Sequence, residues 1–430
     1  MTHKAIAILA SLDTKGEEAA CLRNLIEQKG HRVLLLDTST GGKSAVKAEY
    51  TPKELAAAGN GDIQELIESK DSAKASACMI VGATKILQGI DERKELDGIV
   101  AFGGTTNTTI GTSVMKNFRF GIPKVVLSSS VSVPALAAEY FGTKDISILH
   151  SVVDVAGLNA LTEDLFKRLA GTVCGMVEVQ GGPPSSWQEV TRDKPMVCLT
   201  EFKFSEHCCA HLRKILTDMG FIVIPFHAQG SGDRAMEDLI ADGIFDAVID
   251  MVPAGVAEEI LGGNRAAGPT RLEAAGRRGI PQIVTPCGFD MISCGPFKRA
   301  ASKDPLWESR NLQERKLFVP DMFRVQARTS AEELREVARE VARKLNMATG
   351  PVVFMLPGKG WSSLDKEGGL FYDPEADAAF VEEFKMLVDS KVTVVEHDMN
   401  LDTAEFAEEV VRCFLRTTNH LSSNSAELQK

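Results

Sequence analysis

No stretch of the sequence is apolar for the roughly eighteen residues that a membrane-spanning helix needs, so no such helix is expected. A basic excess is missing too. Lys and Arg number 48 against 59 Asp and Glu, for a formal net charge of −11. No Lys/Arg stripe interrupts that balance, which argues against nucleic acid and against an anionic membrane as partners. A local basic pocket for one phosphate remains compatible with it. A disulfide framework is not expected either. The nine cysteines are odd in number and scattered through a long chain, the pattern of a reduced, cytoplasmic protein. The opening residues enter a strand pattern at once, and no basic segment followed by an apolar one reads as a leader. Neither GxGxxG nor GxxxxGK[ST] occurs, and no GxSxG elbow is present. His207, Cys208, Cys209 and His211 lie close together, but no second ligand pair at zinc-site spacing accompanies them, so no metal site is assigned.

What is present is a strand–loop–helix rhythm repeated through 430 residues. Single cores stop growing near about 250–300 residues, so two lobes are expected. Short apolar runs without polar alternation, such as 5–11, 32–37, 98–104 and 122–129, have the look of strands covered on both faces. Amphipathic stretches between them imply βαβ units and parallel sheets. The segment Gln180–Pro195 is rich in Gly, Pro, Ser and charge and reads as a linker. The expected architecture is therefore α/β, with two Rossmann-like lobes, mainly parallel sheets and a cleft between them. Residues 1–185 would form the first lobe, 195–420 the second, and 421–430 a mobile tail.

Ligands of open α/β sheets bind beyond the carboxyl ends of the strands, so the loops there are the informative ones. Four stand out. In SLDTKGEE, Asp13, Thr14 and Lys15 sit where a strand turns into a helix, and a lysine and a hydroxyl beside free helix amides can hold an anion; plain capping by Asp13 or Thr14 is the alternative. In AFGGTTNTTIGT, Gly103 and Gly104 end a buried strand, and Thr105, Thr106, Asn107, Thr108 and Thr109 lead into a helix. Glycines there admit a ligand close to the backbone, and the hydroxyls add donors; a glycine turn with a hydroxyl cap would look the same. In FHAQGSGDRAMEDL, Gly230, Gly232 and Arg234 suit a phosphate or carboxylate, and His227 can move a proton. In LPGKGWSSLD, Lys359 lies between two glycines. As proton carriers for chemistry, His227 and Asp13 are the candidates. Asp154, Asp250 and Asp290 follow strands and can each bind magnesium beside a phosphate or cap a helix. Cys287 and Cys294 are candidate reactive thiols.

With these loops in view, the chain resembles the tomato mosaic virus resistance protein family, ATP-binding domains long filed as uncharacterised proteins of bacteria and fungi. The resemblance runs from Ala5 to about Leu415. It rests on LDTKGEE at 12–18, IPKVVLSS at 122–129, SVVDVAGLN at 151–159, FHAQGSGDRAMEDLI at 226–240, GPTRLEAAGRRGIPQIV at 268–284, LPGKGWSSLD at 356–365 and FYDPEAD at 371–377. It implies two Rossmann-like lobes, a homodimer, and ATP bound at the Gly103–Thr109 loop with Thr14 and Lys15. Three functions are then in play. One is an enzyme using ATP or another phosphorylated ligand, a transferase or ligase. The second is a nucleotide-binding regulatory or interaction protein without turnover. The third is a sugar-nucleotide enzyme of the two-lobed glycosyltransferase type.

Overall fold

A computed structural model describes residues 3–42, 45–179 and 194–418. The chain divides into two compact units, 1–190 and 191–430. The linker expected at 180–195 lies almost wholly outside the described residues, and the expected tail lies outside them entirely. Each unit is an α/β domain built on a mainly parallel sheet, as the strand–helix alternation predicts.

The first unit opens with β1 (Ala5–Ala10), α1 (Leu12–Glu27) and β2 (Arg32–Asp37). Three helices follow, α2 (Pro52–Ala58), α3 (Ile63–Ser69) and α4 (Ser72–Glu92), before β3 (Gly98–Gly103) and α5 (Thr105–Met115). β4 (Lys124–Ser128), α6 (Pro134–Phe141), β5 (Ile146–His150) and α7 (Ala160–Glu178) complete it. The sheet order is β2-β1-β3-β4-β5, all parallel. Successive side chains of a strand face opposite ways, so a strand buried on both faces must be apolar throughout. β1 shows this: Ala5, Ala7 and Leu9 join the core under α4 and α5, whereas Ile6, Ile8 and Ala10 join the one under α1 and α7. The segment from Lys74 to Gly89 has a mixed sequence pattern, yet it belongs to the 21-residue helix α4. Its Gly82 lies so close to α2 that a Cβ there would meet the Leu55 carbonyl oxygen at 1.9 Å. Tertiary packing, not local periodicity, decides that element.

The second unit carries a six-stranded parallel sheet of β6 (Met196–Glu201), β7 (Ile222–His227), β8 (Ala247–Asp250), β9 (Gln282–Val284), β13 (Val352–Pro357) and β14 (Val392–His397). Their order is β14-β13-β9-β8-β6-β7. The stretch 292–319, which shows no sequence period, contributes to a small antiparallel sheet of β10 (Met291–Ser293), β12 (Gln326–Arg328) and β11 (Leu317–Phe318). Strands of two or three residues are too short to print a period of two. Among the described residues no helix is long and apolar enough to cross a membrane.

Candidate ligand-binding site in the N-terminal unit

In the first unit the chain leaves β1 for β2 on one side and continues through β3 on the other. The order of strands reverses between β1 and β3, and in doubly wound sheets a ligand crevice opens outside the carboxyl ends of the two strands that flank such a reversal. Two of the loops singled out by sequence emerge at that place, Ser11–Glu18 after β1 and Gly103–Thr109 after β3. They touch: the Ser11 hydroxyl donates to Asn107 Oδ1 at 2.8 Å.

Three glycines shape the β3 side. Gly103 has φ +137°, a conformation that disfavours any side chain, and turns the chain sharply out of the sheet. Gly104 caps α5, has no side chain with which to bond the first-turn amides, and leaves those of Thr105, Thr106 and Asn107 without a side-chain cap. Gly111 lets α5 press on β3, since a Cβ there would stand 2.4 Å from Ala101 Cβ. Thr105, Thr106 and Thr109 are exposed, whereas Thr108 is buried. The Thr108 hydroxyl bonds the Gly104 carbonyl at 2.8 Å and the Ser128 hydroxyl at 2.8 Å. Ser128 continues to Ser130 at 3.2 Å, and Ser130 to the buried Tyr140 hydroxyl at 3.0 Å. This chain of hydroxyls fixes the floor of the β3–β4 side.

The β1 side is held by a buried carboxylate. Asp37, the last residue of β2, accepts from the Leu12 amide at 3.1 Å and from the Ser39 amide at 3.0 Å. Ser39 in turn accepts from the Asp13 amide at 3.0 Å. The Asp13 side chain lies beside Gly41 and Gly42, where a Cβ would meet it at 3.2 Å. Lys15 breaks the helical run with φ −131°, ψ 23°, and its ammonium stands 3.7 Å from Glu18. Glu18 is buried and also receives the Gly157 amide at 2.8 Å, tying the loop after β5 to α1. Asp154, exposed on that loop, lies 3.5 Å from the Ser129 hydroxyl. The loops after all five strands thus emerge on one face, carrying hydroxyls, Lys15, the half-buried Asp13, the exposed Asp154 and the first turn of α5.

The remaining sequence candidates are in the second unit and do not form one site there. Gly230 and Gly232 serve close backbone packing: a Cβ would meet the Ala266 carbonyl oxygen at 2.9 Å and the His227 carbonyl oxygen at 2.2 Å respectively. The Gly230 amide is taken by Asp233 at 2.8 Å. His227 ends the edge strand β7 and is exposed, as is Arg234. Lys359 follows β13, four strands away in the order, and its ammonium pairs with Asp398 at 2.9 Å. At about 4.8 Å per strand that is close to 20 Å. The reversal point of this sheet, between β6 and β8, is closed by side chains: Arg271 lies fully buried against Asp250, at 2.6 and 2.8 Å, and against Asp233 at 3.1 Å. Thr200 donates to Asp250 at 2.7 Å. Burial pushes the Cys287 thiol well up and the Cys294 thiol up to about 12, so neither is poised as a thiolate. Among the described residues no cluster of His, Cys, Asp and Glu is arranged to hold a metal ion by itself.

Sequence reasoning missed Asp37, Ser39, Ser128, Ser130 and Tyr140. The available signal was position: DTS and SSS directly follow the apolar runs that became β2 and β4.

The fold and the crevice define the class: a protein of two doubly wound α/β units, the first presenting a glycine-turned helix start at its strand-order reversal. The chain belongs to the Uncharacterised protein family (UPF0261), whose N-terminal domain matches residues 4–181 and whose C-terminal domain matches residues 194–418. A UPF0261 protein of Clostridium tetani is 35% identical over 406 residues, 94% of this chain and 96% of the relative. The ToMV resistance protein Tm-1 of Solanum lycopersicum is 31% identical over 360 residues. That match covers 82% of this chain but only 46% of the tomato protein. Among solved structures, the Staphylococcus aureus MnaA-UDP co-structure is 12% identical, with 65% of this chain and 78% of that one covered and a TM-score of 0.21. Escherichia coli ADP-heptose lps heptosyltransferase II is 12% identical, with 66% and 84% covered and a TM-score of 0.19. Likenesses at that level carry no argument about the ligand.

Proposed function

We propose that the β1–β3 crevice of the first unit binds a phosphorylated small molecule, with ATP the first ligand to test. The single observation behind this is the start of α5. A helix of eleven residues begins at a sheet's reversal point with a glycine as its cap, so its first amides and the positive end of its dipole face the crevice. Lys15 and the exposed hydroxyls of Thr14, Thr105, Thr106 and Thr109 supply further donors around the same place. Magnesium usually binds through one or two carboxylates plus phosphate oxygens, and Asp13 and Asp154 are the carboxylates on hand. When bound, that ion would neutralise phosphate charge.

The reading draws on the first unit alone; Gly230 and Gly232 are packed against backbone, and His227, Arg234 and Lys359 belong to the second unit. A ligand-binding regulatory or interaction role shares the same crevice, and the relative named as a virus-resistance protein favours giving it equal weight with an ATP-dependent transferase or ligase. One experiment addresses binding and turnover together. Thermal shift over a panel of ATP, ADP, UDP-sugars and inorganic phosphate is followed by phosphate release from whichever nucleotide binds. A bound nucleotide at about 100 times its Kd stabilises the folded protein by about 2.7 kcal/mol. A panel without any shift, or a shift that Lys15→Ala leaves intact, would count against the site. Light scattering of the same samples tests the homodimer that the family resemblance suggests.

A further inference from the structure

The segment SVVDVAGLN at 151–159 follows β5, at the same end of the first sheet as the crevice, and its backbone is strained. Val152 has φ +65°, in the left-handed region that a β-branched residue tolerates worst. The Val153 amide bonds the Ser151 carbonyl at 2.7 Å. That bond closes a three-residue γ-turn with Val152 at its tip, a rare and strained form when the central φ is positive. Two further bonds hold the turn in place. The Ser151 amide bonds the Ser128 carbonyl of β4 at 3.0 Å, and the Ser151 hydroxyl bonds the Val153 carbonyl at 2.6 Å. Glycine or asparagine takes such a conformation at little cost. Burial does not offset the strain, because Val152 is 78% exposed. The fold thus holds a strained apolar residue out in the open, and strain of this kind gathers where a site is formed.

The Ser129 hydroxyl connects this turn to the start of α5. A Cβ on Gly104 would lie 3.8 Å from it, and Asp154 Oδ1, from the residue that follows Val153, lies 3.5 Å from it. β5 is two strands from β3 in the sheet, or roughly 10 Å. An extended nucleotide bridges such an interval between its phosphates and its base. The two sides of the crevice differ in kind. On the β2 side, residues 38–42 read TSTGG, with no large apolar side chain. Asp37 stands where an acidic residue takes the ribose in dinucleotide folds, but here it is buried and bonded to the Leu12 and Ser39 amides. On the other side, the loops past β4 and β5 expose Val133, Val152, Val153 and Leu158. We infer that the ligand of this crevice is a nucleotide whose base lies on the β5 side against Val152 and Val153, and that the strained turn serves to present that apolar wall. The inference rests on the phosphate reading of the crevice given above. The faces of a base leave water favourably against aliphatic side chains, whereas a sugar phosphate or inorganic phosphate gives those side chains nothing to cover.

The test compares ATP with inorganic tripolyphosphate, which has the phosphates and no base, by calorimetry on the full chain. ATP should be the tighter ligand of the wild type. Val152→Asn puts in a residue that accepts the left-handed conformation and removes the apolar wall. It should weaken ATP about tenfold, the worth of about two buried methyl-sized groups, and leave tripolyphosphate unchanged. Without ligand it should melt about 2–4 °C higher than the wild type, because the strain is gone. Val153→Ala leaves the strained position alone and should act on ATP in the same selective way by a smaller factor. Equal affinities of the wild type for the two ligands overturn the base wall while leaving the anion site standing, and so do variants that keep the wild-type preference for ATP. If neither ligand binds the wild type, the anion site at α5 fails and the wall falls with it. Light scattering completes the test: a variant that alters the oligomeric state and keeps the preference for ATP puts a second copy of the chain on Val152, which also overturns the inference.

Discussion

Replacing Gly104 with Asp should make the first unit more stable and at the same time unable to bind an anion. The backbone allows it: Gly104 has φ −84°, ψ −161°, an extended conformation ordinary for a cap residue. There is also room, because a Cβ there would lie 3.8 Å from the Ser129 hydroxyl, an ordinary contact. A cap carboxylate accepts from the amides two and three residues on, here Thr106 and Asn107, which Gly cannot do. Relative to Gly that contact is worth a few tenths of a kcal/mol, the charge at the dipole's positive end about 0.3–1 more, and the lost freedom of the unfolded chain about 0.4–1. Repulsion from Asp154 takes some back, and a net gain of about 1 kcal/mol is expected, or about 2–4 °C for a unit of this size. The same carboxylate fills the position proposed for phosphate and repels it. Melting of the wild type and of Gly104→Asp, each with and without ATP at about 100 times the wild-type Kd, separates the two effects. The variant should start higher and show no ligand-induced shift. A variant that melts higher and still responds fully to ATP would refute the placement of the anion at α5.

Four further outcomes follow from the geometry. Lys15→Ala should weaken ATP binding measurably in calorimetry. Arg271→Met should cost about 3–5 kcal/mol in urea unfolding, because Asp233 and Asp250 are left buried without their cation; a cost below about 1 kcal/mol would show that the network is not tightly closed. Gly111→Val should cost about 1–3 kcal/mol by forcing α5 off Ala101. Asp290 is raised to about 6 by burial first and by Asp365 second. Its folded value exceeds the unfolded one, so its contribution is fully present below about pH 4 and is lost as pH rises through about 6, an effect of about 3 kcal/mol at most. Across that window the stability of the wild type should fall relative to that of Asp290→Asn.

The fold was legible wherever a strand is buried on both faces, because such strands are uninterrupted apolar runs: Ala5–Ala10, Arg32–Asp37 and Val352–Pro357 announce themselves. Short elements were not. β10, β11 and β12 have two or three residues each, and α6 is an eight-residue helix behind Pro134. Of the candidate site, the loops after β1 and β3 were recognisable from glycines and small polar residues. What sequence spacing cannot convey is which glycines face a ligand and which face the chain itself. Gly104 and Gly230 look alike in sequence; one caps a helix with room for a side chain and the other is wedged against Arg265 and Ala266. Asp37 was passed over because a single carboxylate after a strand is commonplace, and only the fold shows it clasping Leu12 and Ser39.

The most direct measurement is a titration of the threonine-labelled protein with ATP, followed by amide NMR. If the crevice at α5 takes the phosphates, the amide signals of Thr105 and Thr106 move together with rising ligand while those of Thr217 and Thr393 stay still. Signals of Thr105 and Thr106 that do not move at saturating ATP would contradict the account.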